Sequence, residues 1–496
     1  MPVFIGLDLG TTGVKSTLFD HEGKIDAYAY EEYDLESSRE GFFELNPCVL
    51  SRAVTSVLRR SLKEAPRPAE AVCVTSFGET VFLTDARGKP LCNGLIYIDR
   101  RGTAEAEELE RVFGFDTIAD TTGVKPHAMY SLAKLLWLAK HEKKMVERVR
   151  RIFFVADFIA FQLGSDHITD YSLAARSMAL NIRKKCWWKE MLDAAGLKET
   201  LFPALAETGT VTGRVNAAAA AETGLKQGIP IVIGGHDQIS NALGAGVLQK
   251  GNAANGLGTV DCVTPAFQLP PSLVSLAKNN YCAVPYVSQD LCVTYAFNIT
   301  GGAVLKWYRD TFAKDLHATP VPFGSAYKAL AEAMPDTPTG LLCLPHFAGS
   351  GTPDMDIHSK GVVVGLSLNT TRSELYKGFL EGLAYEAMYN LESLRGCGVE
   401  VDELRTVGGG ARSWEWLQIR ADVFGKPVIQ MGVEEAGTLG CAIMAGKAAG
   451  VYSSYDEGVN AAVKIARVFE PNRKKHGFYK EQYERFKRLY AIEKTL

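Results

Sequence analysis

Paired cysteines are absent from this sequence. Its ten cysteines lie far apart and no two form a C-x-x-C pair, so neither a zinc site nor a dithiol redox centre is indicated. They read as separate buried thiols of a cytoplasmic protein. Long apolar runs are absent too: none approaches the roughly 18 residues that cross a bilayer. The opening MPVFIGLDLG has no basic n-region and an apolar stretch too short for a secretory signal. No stripe of one charge stands out, because 54 Lys and Arg are scattered among 57 Asp and Glu for a net charge of −3. That balance argues against a nucleic-acid or membrane-surface partner. The remaining profile, 47% hydrophobic and 22% charged, is that of a soluble globular protein, and 496 residues predict two or more domains.

Two nucleotide-binding fingerprints are also missing. Gly10-Thr11-Thr12-Gly13-Val14-Lys15-Ser16 lacks the P-loop spacing, and strand-like residues follow it where a P-loop needs a helix. Gly408-Gly409-Gly410-Ala411-Arg412-Ser413 lacks the third glycine of G-x-G-x-x-G, and the first strand opens a Gly-Thr hairpin, which speaks against a dehydrogenase.

Glycine-rich turns at strand ends are what the chain does contain. FIGLDLGTTGVKSTLFD carries Asp8 on an apolar strand, turns at Gly10–Gly13 and returns as a second strand. Gly258-Thr259 in GNAANGLGTVDCVTPAF repeats the device 248 residues later, half the chain length, which suggests an internal duplication. Such turns converge backbone N–H groups on a phosphate, or are simply hairpins. In LRTVGGGARSWEWLQIRADVFGKPV a strand reaches Gly408–Gly410 and a helix runs from about 413 to 424, stopped by Gly425. IPIVIGGHDQISNALGAG sends a strand over 229–233 through two glycines to His236 and Asp237. The aspartate is either a helix cap or a base at the carboxyl end of a strand. Thr371–Glu374 forms a capping box. Helices are predicted at about 50–61, 102–113, 130–147 and 325–333, and strands at 71–76, 81–84 and 152–154, an α/β alternation in two similar halves.

Together these motifs resemble, end to end and in order, the FGGY family of carbohydrate kinases. The resemblance implies two ribonuclease-H-like domains of the actin-like ATPase fold, over 1–245 and 246–496, with ATP and a sugar in the cleft between them. It implies that Asp237 is the general base and that Asp8 organises Mg²⁺. Thr11, Thr12, Gly13 and Lys15 would meet the phosphates from the first domain, and Gly258, Thr259 and Gly302 from the second. Gly409, Gly410 and Trp414 would border the adenosine. The chemistry of phosphoryl transfer asks for the same parts: an acceptor for the hydroxyl proton, a cation and converging N–H donors.

The acceptor side is read from SFGETVFLTDARGKPLCNGLIYIDRR, which is similar to the family's sugar-facing hairpin. Gly78-Glu79 stands where xylulose kinases usually carry Met-His and glycerol kinases Arg-Glu, which puts both activities in doubt; Glu79 could hold two adjacent hydroxyls. Asp99 and Arg101 are either sugar contacts or a local ion pair. His127 and Tyr130 fall near the substrate-lining segment. His236 beside Asp237 looks more like the L-fuculose-kinase-like branch. A ketopentose or deoxyketose is the leading acceptor, with polyols, sugar acids or a non-catalytic nucleotide or sugar sensor as alternatives. The expected partner is a small sugar, with no nucleic acid and no membrane, in a cytoplasmic protein that admits a homodimer.

Overall fold

The computed structural model describes residues 1–288, 290–317 and 325–495. Strands β1 (Val3–Leu9), β2 (Gly13–Asp20) and β3 (Ile25–Glu32) form an antiparallel meander. β4 (Ala71–Ser76) adds parallel to β1, β6 (Pro230–His236) adds parallel to β4, and β5 (Val211–Arg214) closes the edge antiparallel to β6. The second half repeats that order. β7 (Asn252–Leu257) and β8 (Asp261–Phe267) are antiparallel, with β9 (Ala296–Asn298) beside β8. β10 (Glu403–Val407) and β11 (Val428–Met431) continue parallel from β7, and β12 (Ile465–Phe469) is antiparallel to β11. The two Gly-Thr turns occupy equivalent places in two equivalent sheets, so the duplication is structural.

β1 and β4 are buried along nearly their whole length, as strands covered on both faces are. One cover is made by the helix Val155–Leu163, packed on β4 and β6, with helix α1 (Pro47–Glu64) packed on β2 and β3. The other comes from the far end of the chain. Helix α5 (Ala436–Ala448), which follows β11, lies on β1 and β4 and crosses helix α2 (Asp237–Gly244). Small residues make this crossing close. A Cβ on Gly440 would stand 1.9 Å from the Ser240 carbonyl oxygen, and one on Gly244 1.9 Å from that of Ala436. Phe4, Phe19, Leu243, Leu439 and Met444 fill the seam between the halves.

The helix predicted over 130–147 is interrupted. It runs Ser131–His141, breaks at Glu142 (φ −123°, ψ 42°) and resumes as Lys143–Val146. The strand predicted over 229–233 extends to His236, because Gly235 (φ +73°) lets the chain stay paired with β4 through a register shift. The cysteines are all free, yet Cys48 and Cys186 are exposed, at the start of α1 and in a two-stranded hairpin. The other expected helices and strands lie where the sequence put them, within a few residues. Among the described residues no helix is long and apolar enough to cross a membrane.

Candidate active site

Asp8 stands near the end of β1 with Lys15 directly opposite on β2. The Lys15 ammonium does not reach back to close the gap; it bonds Glu435, just before α5, at 3.0 Å. Asp8 is partly buried as a residue, but its Oδ1 is fully buried and lacks any partner. Burial above all, with Asp237 and Glu435 adding to it and Lys15 opposing, pushes its pKa up to about 7. A buried carboxylate oxygen with open valence suits a single contact to a hard cation such as Mg²⁺, although among the described residues no three His, Cys, Asp or Glu side chains gather into a metal cage.

Asp237 is reached through an unusual turn. His236 is the N-cap of α2, its Nδ1 accepting the Gln238 N–H at 3.2 Å, and Asp237 is the first helical residue. The capping role that the sequence allowed Asp237 thus falls to its neighbour. Nδ1 also lies 2.9 Å from Asp237 Oδ1. Having accepted from Gln238, it brings no proton to that oxygen, which is buried and otherwise without a hydrogen bond.

The backbone of the turn is held from three sides. Ser240 Oγ donates to the Gly234 carbonyl at 3.0 Å and Thr75 Oγ1 to the Gly235 carbonyl at 2.8 Å. Ser172 Oγ accepts the His236 N–H at 2.8 Å and donates to Asp170 Oδ2 at 2.6 Å. A Cβ on Gly235 would stand 2.5 Å from Ser172 Oγ, so this support needs the glycine. The sequence reading singled out neither Asp170 nor Ser172.

On the nucleotide side, the Gly10–Gly13 turn closes through Gly10 N–H to the Gly13 carbonyl at 2.9 Å, leaving Thr12 exposed and Thr11 half-buried. In the other half Gly258 and Thr259 are exposed, and Gly302 N–H donates to the Gly258 carbonyl at 2.8 Å. Cβ atoms on Gly302 and Gly410 would stand 2.7 Å from Gly258 O and 2.8 Å from Leu257 Cβ, whereas one on Gly409 would meet nothing. Gly258, Thr259, Gly302, Gly409 and Gly410 therefore surround one strand end. Trp414, the first residue of the helix Trp414–Phe424 that follows Gly410, is 55% exposed, with the Arg467 guanidinium 4.5 Å over its ring.

Beside the Gly78–Glu79 turn stands a residue that the sequence reading missed. Arg176 bonds Glu79 Oε1 through Nε at 2.6 Å and also through Nη2, and both side chains are buried. Glu79 takes φ +65°, and Ser131 Oγ donates to its carbonyl at 2.6 Å. Gly78 is packed beneath: a Cβ there would stand 2.7 Å from His236 Cδ2 and 3.0 Å from Arg176 Cγ. Tyr130 and Tyr295 flank the guanidinium at 5.1 and 5.3 Å, and Tyr295, from the second half, stacks on His236 at 4.9 Å. No motif marked Arg176 or Tyr295; they join Glu79 only through the fold.

Asp99 and Arg101 are brought together with each other. Arg101 grips Asp99 through Nε at 2.9 Å and Nη2 at 2.6 Å and reaches Glu44 at 2.7 Å, while the Phe43 N–H donates to Asp99 at 2.8 Å. His127 is exposed, accepting the Met129 N–H on Nδ1 at 3.1 Å.

Residues 3–244 match the N-terminal domain, and 264–449 the C-terminal domain, of the FGGY family of carbohydrate kinases. The chain belongs to that family. It is an FGGY kinase, a phosphotransferase with an alcohol acceptor, on the two-domain actin-like fold. It is 26% identical over 499 residues to a xylulose kinase of Bacillus subtilis (strain 168), covering 100% of this chain and 98% of the relative. It is 28% identical over 518 residues to a glycerol kinase of Thermococcus kodakarensis, covering 99% and 98%. The crystal structure of a gluconate kinase from Lactobacillus acidophilus superposes with a TM-score of 0.87 at 21% identity, over 99% of this chain and 98% of that one, a likeness of fold alone. Kinases of this family take ATP as the phosphoryl donor and small sugars as acceptors.

Proposed function

We propose that this FGGY kinase transfers the γ-phosphoryl group of ATP to a hydroxyl of a ketopentose or deoxyketose, with Asp237 as the general base. One observation carries the reading: Asp237 Oδ1 is a buried acceptor without a hydrogen bond, close to Asp8 on one side and His236 on the other. In this reading the acceptor hydroxyl donates to Asp237, its oxygen attacks the γ-phosphorus in line, and the bond to the bridging oxygen of ADP breaks as the proton passes to the carboxylate. Thr11, Thr12, Gly13 and Lys15 from one half, and Gly258, Thr259 and Gly302 from the other, receive the phosphates; Gly409, Gly410 and Trp414 border the adenosine. Mg²⁺, which Asp8 would hold, supplies charge neutralisation on the phosphates when bound. His236, Gly78 and Glu79 line the acceptor.

The mutual pairing of Asp99 and Arg101 favours a supporting role for them over direct sugar contact. The relatives are named for a ketose and for a polyol, so a polyol acceptor is the second reading. The deciding experiment measures ADP release from Mg²⁺-ATP with a panel of ketoses, deoxyketoses, polyols and sugar acids. A ketose or deoxyketose should give the highest kcat/KM. A polyol giving a higher value would establish the second reading, and nucleotide binding without acceptor-dependent ADP release would mark a sensor.

A further inference from the structure

The cation of the acceptor pocket is already spent within the protein. Arg176 places Nε and Nη2 on Glu79 Oε1, so guanidinium and carboxylate neutralise each other in a buried site. Lys134, the next buried cation, donates to the Asp99 carbonyl at 2.8 Å. No side chain at position 78 could add a charge, since the space a Cβ would need is held by His236 and Arg176. Asp237 adjoins His236 at 2.9 Å, and Asp8 lies near Asp237. A substrate carboxylate entering here would meet carboxylates, with the Arg176 charge already neutralised by Glu79 and only its Nη1 hydrogen open, and a buried charge without a balancing one is not tolerated.

The same pair nevertheless offers hydrogen bonds. Arg176 Nη1 and the Tyr295 hydroxyl are buried without partners, and no hydrogen bond from the described residues occupies Glu79 Oε2. Orphaned buried donors of this kind mark a missing partner. A guanidinium N–H only donates and an ionised carboxylate only accepts. A hydroxyl on Glu79 and a neighbouring oxygen on Arg176 would satisfy both.

We infer that the Glu79–Arg176 pair makes this kinase selective for an uncharged acceptor, read through two neighbouring oxygens, and makes it reject sugar acids. The inference rests on the assignment of the Gly78–Glu79 side of the cleft to the acceptor. It narrows the substrate class even though a gluconate kinase shares the fold.

The test uses the full chain and matched sets of a ketose, its alditol and its aldonate of equal carbon number. Binding is measured calorimetrically without nucleotide, and ADP release with it. The better neutral compound should bind at least about tenfold more tightly than its aldonate, the scale of a hydrogen bond to a charged group. In Glu79→Gln the guanidinium is released, so the neutral compound should weaken by about tenfold or more while the aldonate gains, reversing the order. In Arg176→Gln the neutral compound should weaken by a similar factor with no gain for the aldonate. Wild-type protein that binds an aldonate as tightly as its neutral partners, or that binds no neutral compound, overturns the inference. So does a folded Glu79→Gln variant with an unchanged preference. Should that variant fail to fold, the wild-type comparison and Arg176→Gln decide. Neutral binding without any ADP release would overturn the kinase reading and leave this inference standing.

Discussion

Asp8 and Asp237 end neighbouring parts of one sheet, yet their surroundings ask different things of them. Asp8 is costly to ionise in the ligand-free cleft: burial, then Asp237, raise its pKa from 3.8 to about 7, against the pull of Lys15. The native state therefore holds a proton between about pH 4 and 7 that the unfolded chain has released. Stability contributed at Asp8 must fall as pH rises through that window. Asp8→Asn removes the titration. In thermal and denaturant unfolding without Mg²⁺ or nucleotide, the variant should gain on wild type by about 1.4 kcal/mol per pH unit across the window. A difference that stays flat from pH 4 to 8 would show that Asp8 titrates normally. Asp237 answers to chemistry instead. Asp237→Asn keeps the shape of the side chain and loses its basicity, so kcat should fall by about 10²–10⁴-fold, with sugar affinity and melting temperature close to wild type. A variant keeping more than half of the wild-type kcat would remove Asp237 as base.

The element that aims Asp237 is the Gly234–His236 turn, and its rigidity comes from outside the motif. Ser172 accepts the His236 N–H, and Asp170 holds Ser172. Ser172→Ala would leave a buried N–H without an acceptor, at a cost of about 1–3 kcal/mol, and would let the start of α2 shift. The expected outcome is a kcat loss of roughly tenfold or more with KM for ATP nearly unchanged; equal losses in both parameters would point to general destabilisation. This element also shows where sequence reasoning stops. Turns, caps and strand runs are local, so the Gly10–Gly13 hairpin, the Thr371 capping box and the Gly425 stop were all legible in advance. The acceptor pocket is not local. Arg176 meets Glu79 across 97 residues, and Tyr295 meets His236 from the other half of the chain. Neither carries a motif, because a single arginine or tyrosine has no periodicity or spacing to betray it. The lengthened strand at Gly235 escaped for a related reason: pairing with β4 there overrides the local pattern.

At the scale of the whole molecule the two halves are tied where α5 crosses α2. The α2–α5 crossing is so close that Gly440 and Gly244 admit no Cβ. Gly440→Ala should therefore lower the melting temperature by several degrees, since a methyl 1.9 Å from a carbonyl oxygen forces backbone to move; an unchanged value would mean that the seam is slack. The phosphate turns are arranged differently. Thr11 and Thr12 belong to the first sheet, Gly258 and Thr259 to the second, and these threonines are at least partly open to solvent. Lys15 bridges to Glu435 at 3.0 Å, but both side chains are about a third or a quarter exposed, and such pairs contribute about 1 kcal/mol or less. A phosphate chain of high charge can outbid Glu435 for that ammonium. Binding of nucleotide and acceptor together should then draw the hairpins onto the phosphates and exclude water from the transfer. Small-angle scattering should record a smaller radius of gyration with a non-hydrolysable ATP analogue plus acceptor than with either alone. The combined effect is the discriminating one, because in the proposed mechanism the nucleotide would touch both halves while the acceptor would supply Asp237 with its partner. Profiles that superpose with and without both ligands would mean that the cleft is already formed in the free enzyme, and that Lys15 leaves Glu435 without any motion of the halves.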